Sequence, residues 1–302
     1  VSCMSGKYMA YVGSYSYTGK AKGITVFDVD VENGMFKERC EIEVDNSSYV
    51  IASSDGKTLY SIADEGVVSF RILPNGSLAR LNSASIRGMR GCHLCTDEED
   101  KYVFVSGYHD GKTTVLSLNP DGSVGKIVDG VFDRGYGSVA ERNFRPHVTC
   151  TRRMPDNRFV LSVDNGIDQV KIYRFNDKEQ KLVQVDAIRC DLESAPRHFR
   201  YSKDGKFIYL MYELKKAIEV YTYKTGDRAP VIEKIQTIST TSTKNPDNLT
   251  AACAMRMSID QKYIYCTNAG ENTISVYKRD EETGLLSMIC CLPISGSYPK
   301  DV

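Results

Sequence analysis

The side chains best suited to chemistry stand close together in one stretch of the chain, Ser194–Leu214. Arg197 and His198 stand nine and eight residues before Lys206, and Glu213 stands seven residues after it. A carboxylate or an imidazole can act as a base, and a guanidinium can stabilise negative charge as it develops on a substrate oxygen. These residue types therefore indicate acid–base chemistry, provided that the fold brings them together.

The same stretch has the pattern of a β-hairpin. Aromatic residues alternate before Asp204-Gly205, and the run 207–211 after it is rich in aromatic and β-branched residues. Asp-Gly is a strong turn signal because Gly tolerates the positive φ that tight turns require. The sequence therefore predicts that Arg197, His198 and Glu213 meet at the open end of one hairpin.

The hairpin unit is repeated along the chain. Each repeat has a basic residue, an apolar strand, a polar loop, an alternating strand and a turn. The basic residues are Lys7, Lys57, Lys101, Arg158, Lys206 and Lys262, separated by 50, 44, 57, 48 and 56 residues. A period of about 50 residues with four short strands is typical of a β-propeller. The prediction is an all-β fold with six repeats; a solenoid is the alternative, which the hairpin density disfavours.

We expect one propeller domain over 1–302, because no linker separates two parts of the chain. In the other repeats a further strand, the leading strand, precedes the basic residue, and the first repeat lacks it. The chain ends at Tyr298-Pro299-Lys-Asp-Val302, which resembles the start of another leading strand. Either this strand closes a ring of six blades, or a seventh, C-terminal blade is truncated. The likeness of Tyr298-Pro299 to Ala195-Pro196, which opens a blade, favours truncation.

Alignment of the repeats predicts two rings of side chains at one face. The first ring contains Tyr49, His93 and His198, with Arg197 adjacent. The second ring contains Ser14, Asp64, Tyr108, Asn165, Glu213 and Ala269. In the fourth repeat, a longer turn is assumed and Pro146-His147 is aligned with Pro196-Arg197. The histidines could instead satisfy backbone groups in a tight channel, and an Arg197–Glu213 pair could be purely structural.

Composition excludes several classes of protein. Positive and negative residues balance at 39 each, so nothing indicates nucleic-acid binding or a polybasic membrane surface. No apolar run approaches the ~20 residues of a membrane-spanning helix, and no signal-peptide core is visible, so we expect a cytoplasmic protein. The ten cysteines are interpreted as reduced, and no metal or cofactor is predicted.

Several short segments of the sequence resemble the lactonase family of seven-bladed β-propellers, which includes 6-phosphogluconolactonase and muconate-lactonizing types. The resemblance is carried by Tyr11-Val-Gly-Ser-Tyr, Gly91-Cys-His, the segment from Arg142 to His147, Ala195-Pro-Arg-His, Tyr212-Glu-Leu and Thr267-Asn-Ala-Gly. It implies seven blades, a place in the pentose phosphate pathway, and a catalytic group that matches His147, Arg197 and Glu213. A further family arginine falls on Ala269, and Thr149 stands where the family often has a second histidine.

The sequence therefore predicts a hydrolase that opens a sugar lactone, with 6-phosphogluconolactone as the substrate that the resemblance implies. Glu213 or His147 would be the base, and Arg197 would stabilise the oxyanion or hold an acidic substituent. The substrate-binding residues are predicted to be His93, Arg142, His198, Asp64 and Tyr108. Two alternatives stay open: a muconate-type lactonizing isomerase, and a non-catalytic propeller that binds a small anion or a protein partner.

Overall fold

The protein is an all-β chain in the part that its computed structural model describes, residues 8–136, 145–242 and 249–302. These residues contain 23 strands and no helix, and hence no helix that could cross a membrane. In chain order the strands are β1 (Tyr8–Gly13), β2 (Gly23–Asp30), β3 (Met35–Glu43), β4 (Val50–Ala52), β5 (Thr58–Ala63), β6 (Gly66–Ile72), β7 (Leu78–Ser85), β8 (His93–Thr96), β9 (Tyr102–Gly107), β10 (Lys112–Leu118), β11 (Val124–Phe132), β12 (Val148–Arg153), β13 (Phe159–Asp164), β14 (Gln169–Arg174), β15 (Val183–Arg189), β16 (Pro196–Tyr201), β17 (Phe207–Tyr212), β18 (Ala217–Lys224), β19 (Val231–Ser239), β20 (Ala251–Met257), β21 (Tyr263–Ala269), β22 (Thr273–Arg279) and β23 (Leu286–Pro293).

The strands form six separate sheets in which sequence neighbours pair. The first sheet has three strands, β1-β2-β3, and each of the other five has four strands in sequential order. The six strands that follow the basic residues of the repeat are β1, β5, β9, β13, β17 and β21, and each lies in a different sheet. The predicted repeat is therefore confirmed, and among the described residues the first sheet has no strand before β1.

The chain divides into two compact units, Val1–Asp110 with Thr114–Gly130, and Gly111–Thr113 with Val131–Val302. The first unit holds sheets one to three, apart from the first two residues of β10 and the last two of β11, which belong to the second unit with sheets four to six. In the first unit, one apolar core contains Ile62 and Leu94, and another contains Ile24 and Phe70. The prediction of a single domain stays a prediction.

In the second unit, β17 shows why the strand after each basic residue is a continuous apolar run in the sequence. All six of its residues are buried. Leu210 and Tyr212 pack into one core with Phe159 of β13, whereas alternate residues such as Met211 pack into another with Ile264 of β21. A strand that is covered on both faces cannot alternate between apolar and polar residues, and this one does not.

Candidate active site

The hairpin of β16 and β17 has the predicted turn. Gly205 adopts a positive φ of 72°, and its amide donates to the carbonyl of Ser202 at 2.8 Å. The hydroxyl of Ser202 accepts the amide of Phe207 at 3.0 Å and donates to the carboxylate of Asp204. These contacts fix the turn and hence the register of the two strands.

At the open end of this hairpin, an extra residue is inserted into β16. Pro196 is paired with Tyr212 and His198 with Met211, so Arg197 is the extra residue of a β-bulge. Bulges are common beside active sites because they re-aim a side chain. Here the Nη1 atom of Arg197 lies 3.2 Å from the Oε2 atom of Glu213, the residue that follows β17. The predicted meeting of these two side chains is confirmed.

Asn165, which directly follows β13, joins the same group. Its side-chain nitrogen Nδ2 donates to Oε2 of Glu213 and to the carbonyl of Pro196, both at 3.2 Å. Its main-chain amide donates to the carbonyl of His147 at 2.8 Å. Asn165 therefore connects the segment that carries His147 with the Arg197–Glu213 pair.

His147 precedes β12 and is buried, with 4% of its surface exposed. Its main-chain amide donates to Oδ1 of Asp164 at 2.9 Å, and the same oxygen accepts the amides of Gly166 and Ile167. A Cβ atom at Gly166 would collide with the carbonyl of Arg145 and the imidazole of His147, so only glycine lets the chain approach so closely here.

The predicted alignment of His147 with Arg197 is wrong by two residues. The turn of the fourth sheet is not longer, since Asn157 donates to Met154 at 3.0 Å in the same way that Gly205 donates to Ser202. The bulged residue of β12 is Thr149, which therefore occupies the position of Arg197. His147 lies two residues earlier, before the strand begins.

The bulge recurs in the sixth sheet, and its surroundings there are small and uncharged. Cys253 is the bulged residue of β20, the counterpart of Arg197, and Ala269 is the counterpart of Glu213 at the strand end. Both residues are buried. Burial raises the pKa of the Cys253 thiol, an effect that Arg197 opposes and Glu213 reinforces. The side of the site formed by the sixth sheet therefore has no charge at these two positions.

His198 is half-buried and lies in a strongly positive environment. Burial and the charge of Arg197, followed by Arg152, Arg200 and Arg256, hold the pKa of its imidazole well below the usual value. A neutral imidazole at neutral pH is the result.

Three of these arginines form a repeated feature that sequence reasoning missed. Arg152, Arg200 and Arg256 each stand six residues before the basic residue of their repeat. The Nε atom of Arg152 donates to the carbonyl of Phe199 at 2.9 Å, and that of Arg200 donates to Met255 at 3.3 Å. Arg256 instead contacts Asp301 at 3.1 Å. Their common spacing was visible in the sequence and could have identified them.

The remaining predicted binding residues are in the first unit, except for Arg142, which lies outside the described residues. His93 is fully buried in β8, with its ring 4.9 Å from that of Tyr49. Asp64 accepts from Arg90 at 3.0 Å and from Asn46 at 2.9 Å. Tyr108 is exposed and packs edge-on against His109. Their roles as binding residues stay predictions.

Comparison with known proteins supports the fold class and an enzymatic function. The sequence model of the family described as "Lactonase, 7-bladed beta-propeller" matches residues 9–302, which confirms the predicted propeller. The chain is 29% identical over 301 residues to the 6-phosphogluconolactonase of Bacillus subtilis (strain 168), an alignment that covers 98% of this chain and 84% of that protein.

The fold is also similar to that of solved structures. A protein from Bacteroides fragilis NCTC 9343, suggested to be a 6-phosphogluconolactonase, superposes with a TM-score of 0.86 at 29% identity, covering 99% of this chain and 85% of that one. The periplasmic gluconolactonase PpgL of Pseudomonas aeruginosa superposes with a TM-score of 0.87 at 24% identity, covering 97% and 85%, and shows likeness of fold alone.

Proposed function

The chain belongs to the lactonase family of seven-bladed β-propellers, and from this premise we propose that it hydrolyses a sugar lactone, with 6-phosphogluconolactone as the substrate. The observation that carries the proposal is the contact between Arg197 and Glu213, at 3.2 Å, in a position that is partly open to solvent. The relative from Bacillus subtilis supports the choice of substrate.

In the proposed reaction, Glu213 is the general base. Its Oε2 atom accepts from Arg197 and Asn165, whereas Oε1 accepts no hydrogen bond from the described residues. Oε1 takes a proton from water as the water oxygen attacks the lactone carbonyl carbon, and the π electrons of the carbonyl move to its oxygen. The positive charge of the Arg197 guanidinium stabilises the resulting oxyanion.

Collapse of the tetrahedral intermediate breaks the bond between the carbonyl carbon and the ring oxygen. The ring oxygen leaves with the electron pair and takes up a proton, from protonated Glu213 or from His147. The product is an open-chain hydroxy acid, which ionises and so releases a proton to the medium. The positive environment of His198, with Arg152, Arg200 and Arg256, favours substrates and products that carry negative charge.

A panel of phosphorylated and unphosphorylated sugar lactones, with acid release followed at constant pH, tests the proposal. We expect hydrolysis well above the uncatalysed rate, with the phosphorylated lactone preferred. Hydrolysis in water enriched in ¹⁸O should place one labelled oxygen in the product carboxylate. Interconversion of a muconate lactone without labelling would favour the isomerase. No turnover of any lactone, with Arg197-dependent stabilisation by a small anion, would favour a binding protein.

The proposal includes a cytoplasmic location and no metal or cofactor, both of which stay predictions from the sequence. Cell fractionation tests the location. Full activity after exhaustive treatment with a chelator would support a reaction without a metal. Loss of activity that an added metal restores would contradict it.

A further inference from the structure

Asn165 occupies a position from which one side chain can set the geometry of the whole candidate site. It follows β13 as Glu213 follows β17, and the residue is buried, with 5% of its surface exposed. Its Nδ2 atom lies 3.2 Å from Oε2 of Glu213 and 3.2 Å from the carbonyl oxygen of Pro196. We propose that Asn165 is a positioning residue that holds the Glu213 carboxylate in the orientation for base catalysis; this rests on the proposed function.

The orientation of the Asn165 amide follows from its two neighbours. A primary amide nitrogen has two N–H donors, and both neighbours of Nδ2 are acceptors. The reverse orientation would direct the amide oxygen toward a carboxylate and a carbonyl, leaving three acceptors together without a proton. The donor therefore faces Glu213.

The amide acts on one oxygen of the carboxylate and leaves the other available. Oε2 of Glu213 receives Nδ2 of Asn165 and Nη1 of Arg197, each at 3.2 Å. Within the described part of the chain, Oε1 receives no donor, and the Glu213 side chain is 18% exposed. Two donors, one beside each of two sheets, restrict the orientation of the carboxylate and leave Oε1 as the oxygen that can act as the base.

Asn165 also fixes the approach of His147. Its main-chain amide donates to the carbonyl of His147 at 2.8 Å, while its side chain contacts Pro196, which adjoins Arg197. All three proposed catalytic residues are therefore connected to Asn165: His147 by its main-chain amide, Glu213 by its side chain, and Arg197 through the carbonyl of the adjoining proline. A shift of Asn165 would move them together.

Closure of the hairpin does not depend on the Asn165 side chain. The main-chain amide of Glu213 donates to the carbonyl of Ala195 at 2.7 Å, and the hydroxyl of Thr149 donates to the carbonyl of Arg197 at 2.7 Å. These bonds hold β16 against its neighbours when the amide of Asn165 is removed. The contact with Glu213 therefore contributes orientation more than folding.

The test compares Asn165→Ala and Asn165→Asp with Thr149→Val as the matched control. Each variant at Asn165 removes the donor to Glu213, whereas Thr149→Val removes the donor to the main-chain carbonyl of Arg197 in β16. For the Asn165 variants we expect kcat to fall roughly 10- to 100-fold with KM nearly unchanged, the scale of misplacing a reacting group by about 1 Å. Thr149→Val should not produce this separation of kcat from KM.

The pH profile separates positioning from a merely structural role. In Asn165→Asp the introduced carboxyl repels Glu213 when both are ionised, but becomes a donor again when it takes up a proton. The ratio of its kcat to that of the wild type should therefore rise as pH falls from about 8 to about 5. For Asn165→Ala, which has no group that can become a donor again, the ratio should not rise as pH falls. A constant ratio for both variants, with activity lost in proportion to the folded fraction, would overturn the proposal.

A spectroscopic measurement makes the inference independent of turnover. Carboxyl-carbon NMR of glutamate-labelled protein gives a Glu213 signal that is assigned by its loss in Glu213→Gln. We expect this signal to move in Asn165→Ala and not in Thr149→Val. If it moves and the wild type hydrolyses no lactone, the positioning holds and the proposed function fails. If it does not move while the wild type is active, the positioning is wrong and the proposed function stands.

Discussion

Arg197 lies in the first strand of one hairpin and Glu213 directly follows the second, and their side chains meet at 3.2 Å because Arg197 is the extra residue of a β-bulge. Without the bulge, residues at these positions would continue the alternation of the strand. The pair is partly buried, with 29% of the Arg197 and 18% of the Glu213 side chain exposed. The contact is therefore accessible to a small substrate and still partly shielded from solvent.

The arginines around His198 give a prediction about its protonation. Burial first, and then the charges of Arg197, Arg152, Arg200 and Arg256, lower the pKa of this imidazole. Removing one charge in Arg200→Gln should therefore raise the pKa of His198, since a positive neighbour disfavours the imidazolium. A proton NMR titration of the variant and the wild type checks the direction. An unchanged or lower value would contradict the account of the positive environment.

The same variant should alter recognition of charged substrates. If the arginines favour negative charge, Arg200→Gln raises KM for a phosphorylated lactone more than for its unphosphorylated analogue. Equal changes in KM for the two lactones would count against this role.

A buried pair of carboxyl groups predicts how stability depends on pH. Burial, followed by a hydrogen bond with Asp164 and its charge, raises the pKa of Asp133 to about 8. The Oδ2 atoms of both residues are buried and have no donor among the described residues, so a shared proton satisfies them. Tyr173 donates to the other oxygen of Asp133 at 3.1 Å, and Lys171 favours the ionised form.

The sign of this effect is fixed by the direction of the shift. Because the folded pKa lies above the ordinary value of 3.8, the stabilising contribution of Asp133 is complete below about pH 4 and is lost as pH rises toward about 8. Asp133→Asn keeps a donor for Asp164 and does not titrate. Its Tm relative to the wild type should therefore increase from about pH 5 to about pH 8. A difference that is constant over this range, measured by thermal unfolding, would show that Asp133 does not retain a proton in the folded protein.

His147 can be tested without breaking the bond that holds its segment. The contact with Asp164 at 2.9 Å is made by the main-chain amide and survives in His147→Ala. If the imidazole takes part in proton transfer, kcat/KM should fall by about 10²-fold or more. His109→Ala is the control, because His109 is exposed and contacts Tyr108 rather than the catalytic group. Similar losses for both variants, or a loss explained by a lower Tm, would remove His147 from the mechanism.

The sequence predicted the hairpin and its end groups because their signals are local. Asp204-Gly205 specifies the turn, and the turn sets the register that brings Arg197 near Glu213. The bulges were not predictable in the same way. Their extra residues, Thr149, Arg197 and Cys253, share no chemical type, so comparing the repeats residue by residue could not identify the bulges. For the same reason His147 was misaligned by two positions.

Other features of the site depend on contacts between sheets. Asn165 was recognised as a member of a ring, but its contact with Glu213 joins β13 to β17 and has no pattern within either repeat. The Asp133–Asp164 pair likewise joins residues 31 positions apart by sequence number that no motif connects. Arg152 and Arg200 were predictable in principle from their common spacing, yet in the sequence they read as ordinary polar positions of a strand.

The catalytic role of Glu213 is tested most directly by kcat/KM of Glu213→Gln on 6-phosphogluconolactone, measured with the Tm of the same preparation. The amide keeps the size of the side chain and can still contact Asn165 and Arg197, but it cannot accept a proton from water. The account predicts that kcat/KM falls by roughly 10²-fold or more while Tm changes little. Near wild-type hydrolysis by this variant would contradict the account, because it would show that the base lies elsewhere.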